Sequence, residues 1–331
     1  MDILKTKEYF TMKKLGIVLL NFFCALILLF LVAWTGLQIA KCVVYPDYLA
    51  NRKFEEQIPG LSEGFVPQGL SYDGEGGYLH SGYGDGHLLK LFLVKGEDVK
   101  QVTPVDEGGN PWEGHGGGIA RAGDYVYVAS ESKLIIFRYD DLKNAQDGAS
   151  VASIGIFPVD TQASFCFASG NFIYVGEFYR AEDYETNPTH HKTTPAGDDH
   201  KALVSCYLLD HNGALAEEYP LYSISIRDQV QGFAVQGDTF ILSSSWGVTS
   251  SKLDFYKGLT NKGEMIEVSG KSVPLYYLDS ATHQKTVDMP AFSEGLTIVG
   301  DRVVISFESA CNKYVVGKFF FANRLVSYPV Q

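Results

Sequence analysis

Five positions recur at the start of one repeated pattern in this 331-residue chain: Gln68, Gly117, Ser164, Gln231 and Glu294. His115 lies two residues before Gly117, on the same face of an extended strand, and fills the gap that glycine leaves. Brought together, these positions offer two amides, a hydroxyl, an imidazole and a carboxylate. Such a ring has two uses. Its groups can hydrogen-bond exposed backbone and trapped water in a wet channel. Alternatively, Gln68, Gln231 and Glu294, with Ser164, can give oxygens to a hard cation such as Ca²⁺, or hold a polar ligand. One carboxylate holds a cation weakly, and Glu63 and Glu113 would add charge if their loops folded over the ring.

A second cluster sits in the long insertion 176–204. His190, His191 and His200 lie among Asp183, Asp198 and Asp199, a composition that suits zinc, although the spacing fits no standard motif. The other expectation for this loop is a solvated lid, with Glu177, Tyr179 and Arg180 at its base. Trp112 and Trp246 offer either an aromatic platform for a sugar or filling between layers. Glu131, Ser245 and Glu308 fall at equivalent places one strand further on and form an outer polar ring. The serine-rich stretch 243–252 lacks the Gly-x-Ser-x-Gly elbow, so no nucleophile is assigned there.

Strands must position all of these groups. Each recurring position opens a short alternating run, a Gly-Asp or Gly-Asn turn and a second alternating run, as in FSEGLTIVGDRVVISFES (292–309). The turns fall at Gly123-Asp124, Gly170-Asn171, Gly237-Asp238 and Gly300-Asp301, with Gly76-Gly77 in the first unit. These residue types tolerate positive φ and fit two-residue hairpins. Third strands are expected at 87–94, 133–140, 202–210, 251–257 and 312–321, and fourth strands at 151–160, 218–226 and 323–331. Four antiparallel strands per unit describe a propeller blade. Unit starts lie 49, 47, 67 and 63 residues apart, a period that fits propeller repeats and that a barrel or sandwich does not explain.

The predicted fold is therefore all-β, a five-bladed β-propeller over 66–331. A sixth blade follows if 273–290 forms a degenerate one. In that architecture the first strand of each blade lines the channel, so the recurring positions face one space, and Gly69, Gly118, Gly232 and Gly295 relieve crowding between inner strands.

Residues 15–40 carry no charge, enough apolar chain for a transmembrane helix. Leu15–Ala40 is thus the expected contact with the lipid bilayer, 1–14 a cytoplasmic N-terminus and 41–65 a linker, part of which pairs with an outer strand. Lys5, Lys7, Lys13 and Lys14 orient the N-terminus inward and the propeller to the extracytoplasmic side of the plasma membrane. A removed secretory signal is the alternative. A net charge of −12 and a pI near 5.1 argue against nucleic acid as a partner. Cys166, Cys206 and Cys311 read as buried thiols.

VPQGL (66–70), HGGGIA (115–120), VGEFYR (175–180), VQGFAV (230–235) and SEGL with FESACNKY (293–314) resemble exported, functionally uncharacterised bacterial β-propeller proteins. The Gln-Gly and Ser-Glu-Gly starts are more distantly similar to five-bladed calcium-dependent nucleotidases, whose tunnel holds the metal. That likeness implies a tunnel ion. The leading expectation is recognition of a small polar ligand, glycan or envelope component at the channel mouth. The alternatives are a Ca²⁺-dependent hydrolase of phosphoesters or lactones, with His115 or Glu294 moving protons, and a structural module of the envelope.

Overall fold

Glycine sets the repeated hairpins. Gly123, Gly170, Gly237 and Gly300 have φ of 54°, 55°, 61° and 61°, whereas the Asp or Asn after each does not take positive φ. Strand pairing resumes directly across the two turn residues, for example Ala122↔Tyr125 and Val299↔Arg302. A positive φ at the first turn residue alone is the type II′ pattern, whose twist suits adjoining strands. In the first unit the turn is longer, and Asp73 Oδ1 accepts from the backbone N–H groups of Glu75 at 2.7 Å and Gly77 at 2.8 Å.

The computed structural model describes residues 2–320 and 322–331, with side chains from residue 13 onward. It divides into a helical N-terminal unit ending at Leu49 and a β unit, Ala50–Gln331. Within the first, Lys13–Val44 is long and apolar enough to cross a membrane, as an anchor or as a signal sequence would be.

The β unit holds five four-stranded antiparallel blades. Blade I is Val66–Tyr72, Tyr78–Tyr83, Leu89–Lys95 and Asp98–Val105, and blade II is Gly118–Ala122, Tyr125–Ser130, Lys133–Arg138 and Gly155–Pro158. Blade III is Phe165–Ser169, Phe172–Gly176, Ala202–Leu208 and Tyr222–Ile226. Blade IV is Val230–Gln236, Thr239–Ser244, Ser251–Lys257 and His283–Met289. Blade V takes Ser293–Val299, Arg302–Phe307 and Arg324–Pro329 from the end of the chain and Lys53–Gln57 from the expected linker. That fourth strand pairs Lys53 with Ser327 and Phe54 with Val326, and Ser327 Oγ donates to Glu55 Oε1 at 2.6 Å. The ring is therefore clasped by both ends of the β unit.

Two expectations change. Residues 273–290 do not form a sixth blade: Lys271–Tyr277 pairs in parallel with the outer strand of blade III, and His283–Met289 completes blade IV. Lys271–Tyr277 forms a hairpin with Met265–Val268, and Ile266, Val268, Val273, Leu275 and Tyr277 of that hairpin pack with Leu203 in one buried cluster. Nor does 312–321 supply a third strand. Val316–Phe320 is a 3₁₀ turn, residue 321 lies outside the described residues, and Arg324–Pro329 is the third strand of blade V. Val315, Val316 and Phe319 are exposed, so the alternation there has no partner layer to bury it.

Inner strands touch in the order I, II, III, IV, V and back to I. They meet with almost no space between backbones. A Cβ added to Gly69 would lie 2.5 Å from Ile119 N, one on Gly118 2.2 Å from Cys166 N, one on Gly232 2.7 Å from Glu294 O, and one on Gly295 2.6 Å from Leu70 N. Each clash is with the next blade. Between blades III and IV the buried rings of Phe165 and Phe233 stack instead, 6.3 Å apart.

The cysteines are free thiols, and burial pushes Cys166 up to about 12 and Cys206 up to about 11. Because four glycines seal the ring backbone to backbone, Gly295→Ala is expected to cost about 3 kcal/mol, the upper range for overpacking. Gly155→Ala, where nothing lies within 4 Å, serves as the control and changes stability little. Urea unfolding of the full chain in detergent checks this; equal midpoints for the two variants would contradict it.

Candidate functional site

Three inner strands begin with a β-bulge. Pairing passes from Pro67↔Gly82 to Gly69↔Ser81, from Val230↔Ser244 to Gly232↔Ser243, and from Ser293↔Phe307 to Leu296↔Ile305. The unpaired residues are Gln68 and Gln231, and in blade V the bulge falls at Glu294-Gly295. A bulge re-aims a side chain, here away from the sheet and into the mouth of the ring. In blade III, Ser164 precedes the strand and its Oγ accepts from Phe178 N–H at 3.1 Å.

The result is one cavity of about 510 Å³, lined by Gln68, His115, Gly117, Ser164, Gln231 and Glu294 together. The recurring positions thus converge. The outer positions join them, since Glu131, Ser245 and Glu308 line the same space. The second carboxylate near Glu294 is therefore Glu308; Glu63 and Glu113 are exposed and do not line the cavity.

Glu294 is 2% exposed, and its carboxyl makes no hydrogen bond among the described residues. Glu308, also buried at 7% exposed, accepts from Gln68 Nε2 at 3.0 Å. Burial raises the Glu294 carboxyl well above its usual range, and the neighbouring Glu308 and Cys311 add to that. Burial also raises Glu308, to about 8, against the opposing pull of Lys313 and of hydrogen bonds from Gln68 and Tyr314. Two buried acids facing one space cannot both ionise cheaply. The site therefore holds protonated acid near neutral pH.

Aromatic side chains complete the walls. Tyr83, Phe178, Tyr184, Trp246, Phe292 and Tyr314 all line the cavity. Trp246 packs 5.9 Å from Phe178 and 6.0 Å from Tyr184, with the Arg180 guanidinium 4.0 Å over its ring. Phe292 lies 5.2 Å from Tyr314. His115 sits at the exposed rim with its ring 5.2 Å from Tyr83 and 5.3 Å from His87. Partial burial, then His87 and Lys313, hold its imidazole below the usual range, so it is neutral at pH 7. The insertion 176–204 contributes Phe178 and Tyr184 directly.

The backbone around the mouth is strained. Glu131, Ser132, Ala163 and Phe292 line it with φ of 48°, 58°, 51° and 69°, and Gln229, two residues before Gln231, has φ 63°. Non-glycine residues in this region cost roughly 1–3 kcal/mol each and persist where the surroundings impose them, often at functional sites.

Other sequence candidates fall elsewhere. Trp112 does not line the mouth: it packs on the core shared by blades I and II, and its Nε1 donates to Ser153 Oγ at 3.2 Å. The three insertion histidines have separate partners. His190 is buried with Nδ1 3.0 Å from both oxygens of Glu177, His191 Nε2 meets Thr186 Oγ1 at 3.1 Å, and His200 Nδ1 meets Ser225 Oγ at 3.2 Å. Their geometry ties the loop down. Among the described residues no group of three His, Cys, Asp or Glu is arranged to hold a metal ion. At the opposite end of the ring a second cavity, about 610 Å³, contains Arg121, whose guanidinium is already committed to Asp73 O, Glu75 and the Tyr139 ring.

Of the aromatic wall, only Trp246 was read from sequence; Tyr83, Phe178, Tyr184, Phe292 and Tyr314 were missed. The available signal was an aromatic at or just past the end of a second strand: Tyr83 closes Tyr78–Tyr83, while Phe178 and Trp246 lie two residues beyond Phe172–Gly176 and Thr239–Ser244.

No protein-family model and no curated protein matches this sequence, so no sequence relative supports the exported-propeller group or the nucleotidases. Among solved structures the chain is similar to the GH43_1 enzyme from Xanthomonas citri complexed with xylose, at 10% identity over 86% of this chain and 92% of that one, TM-score 0.43. It is similar to Myxococcus xanthus glutaminyl cyclase at 11% identity, over 85% and 97%, TM-score 0.41, and to BamB from Moraxella catarrhalis at 9%, over 80% and 83%, TM-score 0.32. The likeness is one of propeller architecture and carries no activity across.

Raised carboxyls favour the protonated folded chain. The stability this contributes is fully present below the ordinary carboxyl value of 4.5 and is lost as pH rises through about 8 for Glu308. Glu308→Gln removes that loss, so its unfolding free energy falls less between those limits, by up to about 1.4 kcal/mol per pH unit. Parallel pH profiles for wild type and variant would contradict the assignment.

Proposed function

We propose that this protein is a single-pass, membrane-anchored β-propeller with a cytoplasmic N-terminus, whose extracytoplasmic mouth captures a small polar ligand or the end of a glycan or envelope component. Glu294 carries this reading. A buried carboxyl with no partner costs roughly 1–3 kcal/mol or more, and a chain that bulges a strand to aim it into a cavity supports a partner arriving from outside. The cavity volume falls within the range of small-molecule sites, and its mixture of aromatic wall and few convergent polar groups is the usual composition of one. Lys5, Lys7, Lys13 and Lys14 ahead of the apolar helix support the orientation.

Glu294, Glu308 and the side-chain carbonyls of Gln68 and Gln231 are the groups that would meet a Ca²⁺ ion. Gln68 turns its Nε2 donor towards Glu308, which suits a hydrogen-bonded carboxyl better than a shared cation. A polar organic ligand fits the donors and walls together.

The test uses the full-length protein in lipid nanodiscs and saturation-transfer NMR with a panel of monosaccharides, amino acids, amines and nucleosides. Wild type is expected to bind one class, and Glu294→Gln and Gln231→Ala each to weaken it by at least about tenfold with unchanged melting. Binding untouched by either substitution, or no binding by any class, overturns the proposal.

A further inference from the structure

We propose that the ligand is an organic ammonium ion on a compact apolar body, its charge neutralised at Glu294 and its body held against Tyr83, Phe292, Tyr314 and Trp246. The inference rests on the binding reading above and names its chemical class. It follows from an inventory of charge in the mouth. The acidic groups lining it are Glu131, Glu294 and Glu308, and Lys313 is the one Lys or Arg among the described residues that does so. Glu131 pairs with Lys133 at 3.7 Å. Lys313 serves Glu308 electrostatically and donates to the Tyr83 hydroxyl. Glu294 is left without a counter-charge.

The groups facing Glu294 do not supply one. Glu308, Cys311 and Tyr314 are acidic or neutral, Gln68 is spent on Glu308, and the His115 imidazole is held neutral. The walls, however, are already shown to accept an ammonium. Lys313 Nζ lies 4.8 Å from the centroid of Tyr83 and 5.3 Å from that of Tyr314, the chain's own cation against two of the rings. Aromatic faces attract such a group by their quadrupole, and more strongly when water is excluded. A divalent metal ion, which prefers oxygen ligands and water, makes poorer use of these rings than an ammonium does, and a neutral sugar brings no counter-charge to the two acids. An arriving ammonium would let one of them ionise, and its proton would leave to solvent.

Isothermal titration of full-length protein in nanodiscs tests this with benzylamine and cyclohexylamine against benzyl alcohol and cyclohexanol, with calcium chloride alone as a further arm. Buffers of different ionisation enthalpy count protons. The amines are expected to bind at least about tenfold tighter than the alcohols. They should release up to about one proton at pH 7 and tighten from about pH 6 to about pH 8. Glu294→Gln should abolish the amine preference, bringing amine and alcohol affinities together. Equal affinity for amines and alcohols, absence of amine binding, or calcium binding that amines do not displace overturns the proposal. If a neutral sugar binds in a Glu294-dependent way while amines do not, the cation assignment falls and the binding site stands.

Discussion

The structure depends on how closely the five inner strands approach. At Gly69, Gly118, Gly232 and Gly295 one blade's backbone occupies the space where a side chain on the next would begin. That contact fixes the radius of the ring, and the radius fixes how near Gln68, Ser164, Gln231 and Glu294 come to one another. Positions up to 226 residues apart in the chain, from Gln68 to Glu294, become neighbours only because four glycines let the strands meet. The clasp formed by Lys53–Gln57 on Arg324–Pro329 then holds the ring closed.

Much of this was legible because the repeat pairs a local signal with a global one. Gly-Asp and Gly-Asn mark hairpins through backbone conformation alone, and their spacing marks blades, so the fold and the inner ring could be read before any contact was known. What was not legible had no local cause. Val315, Val316 and Phe319 look like strand residues, yet no sheet is available to receive them, and the third strand of blade V starts at Arg324 instead. Lys271–Tyr277 has the alternation of a strand of any blade; only its packing on Leu203 assigns it to the outside of blade III. Trp112 had the right residue type and the wrong side, because packing on the core shared by blades I and II outweighs exposure at a rim. Glu308 was readable as part of an outer ring but not as the partner of Glu294, since the tilt of a bulged strand decides which rings merge.

Local cost gathers at the mouth of the ring. Glu294 is buried there beside a second acid, Glu308, and Ala163, Gln229 and Phe292 hold left-handed backbone without glycine. A rigid ring tolerates such local cost because its inner strands are fixed on both sides by neighbouring blades. Rigidity supplied by the fold and tension concentrated at one end together give a preformed cavity whose unmet demand is chemical rather than conformational.

The state of Glu294 is the most direct measure of that demand. Difference infrared spectroscopy of full-length protein against Glu294→Gln at pH 7 reads the carbonyl stretch of a protonated carboxylic acid. The account predicts such a band in the empty protein, assigned to Glu294 by its loss in the variant and replaced by carboxylate signal when an amine is added. A Glu294 that is fully ionised in the empty protein, with no protonated band to lose, would contradict it.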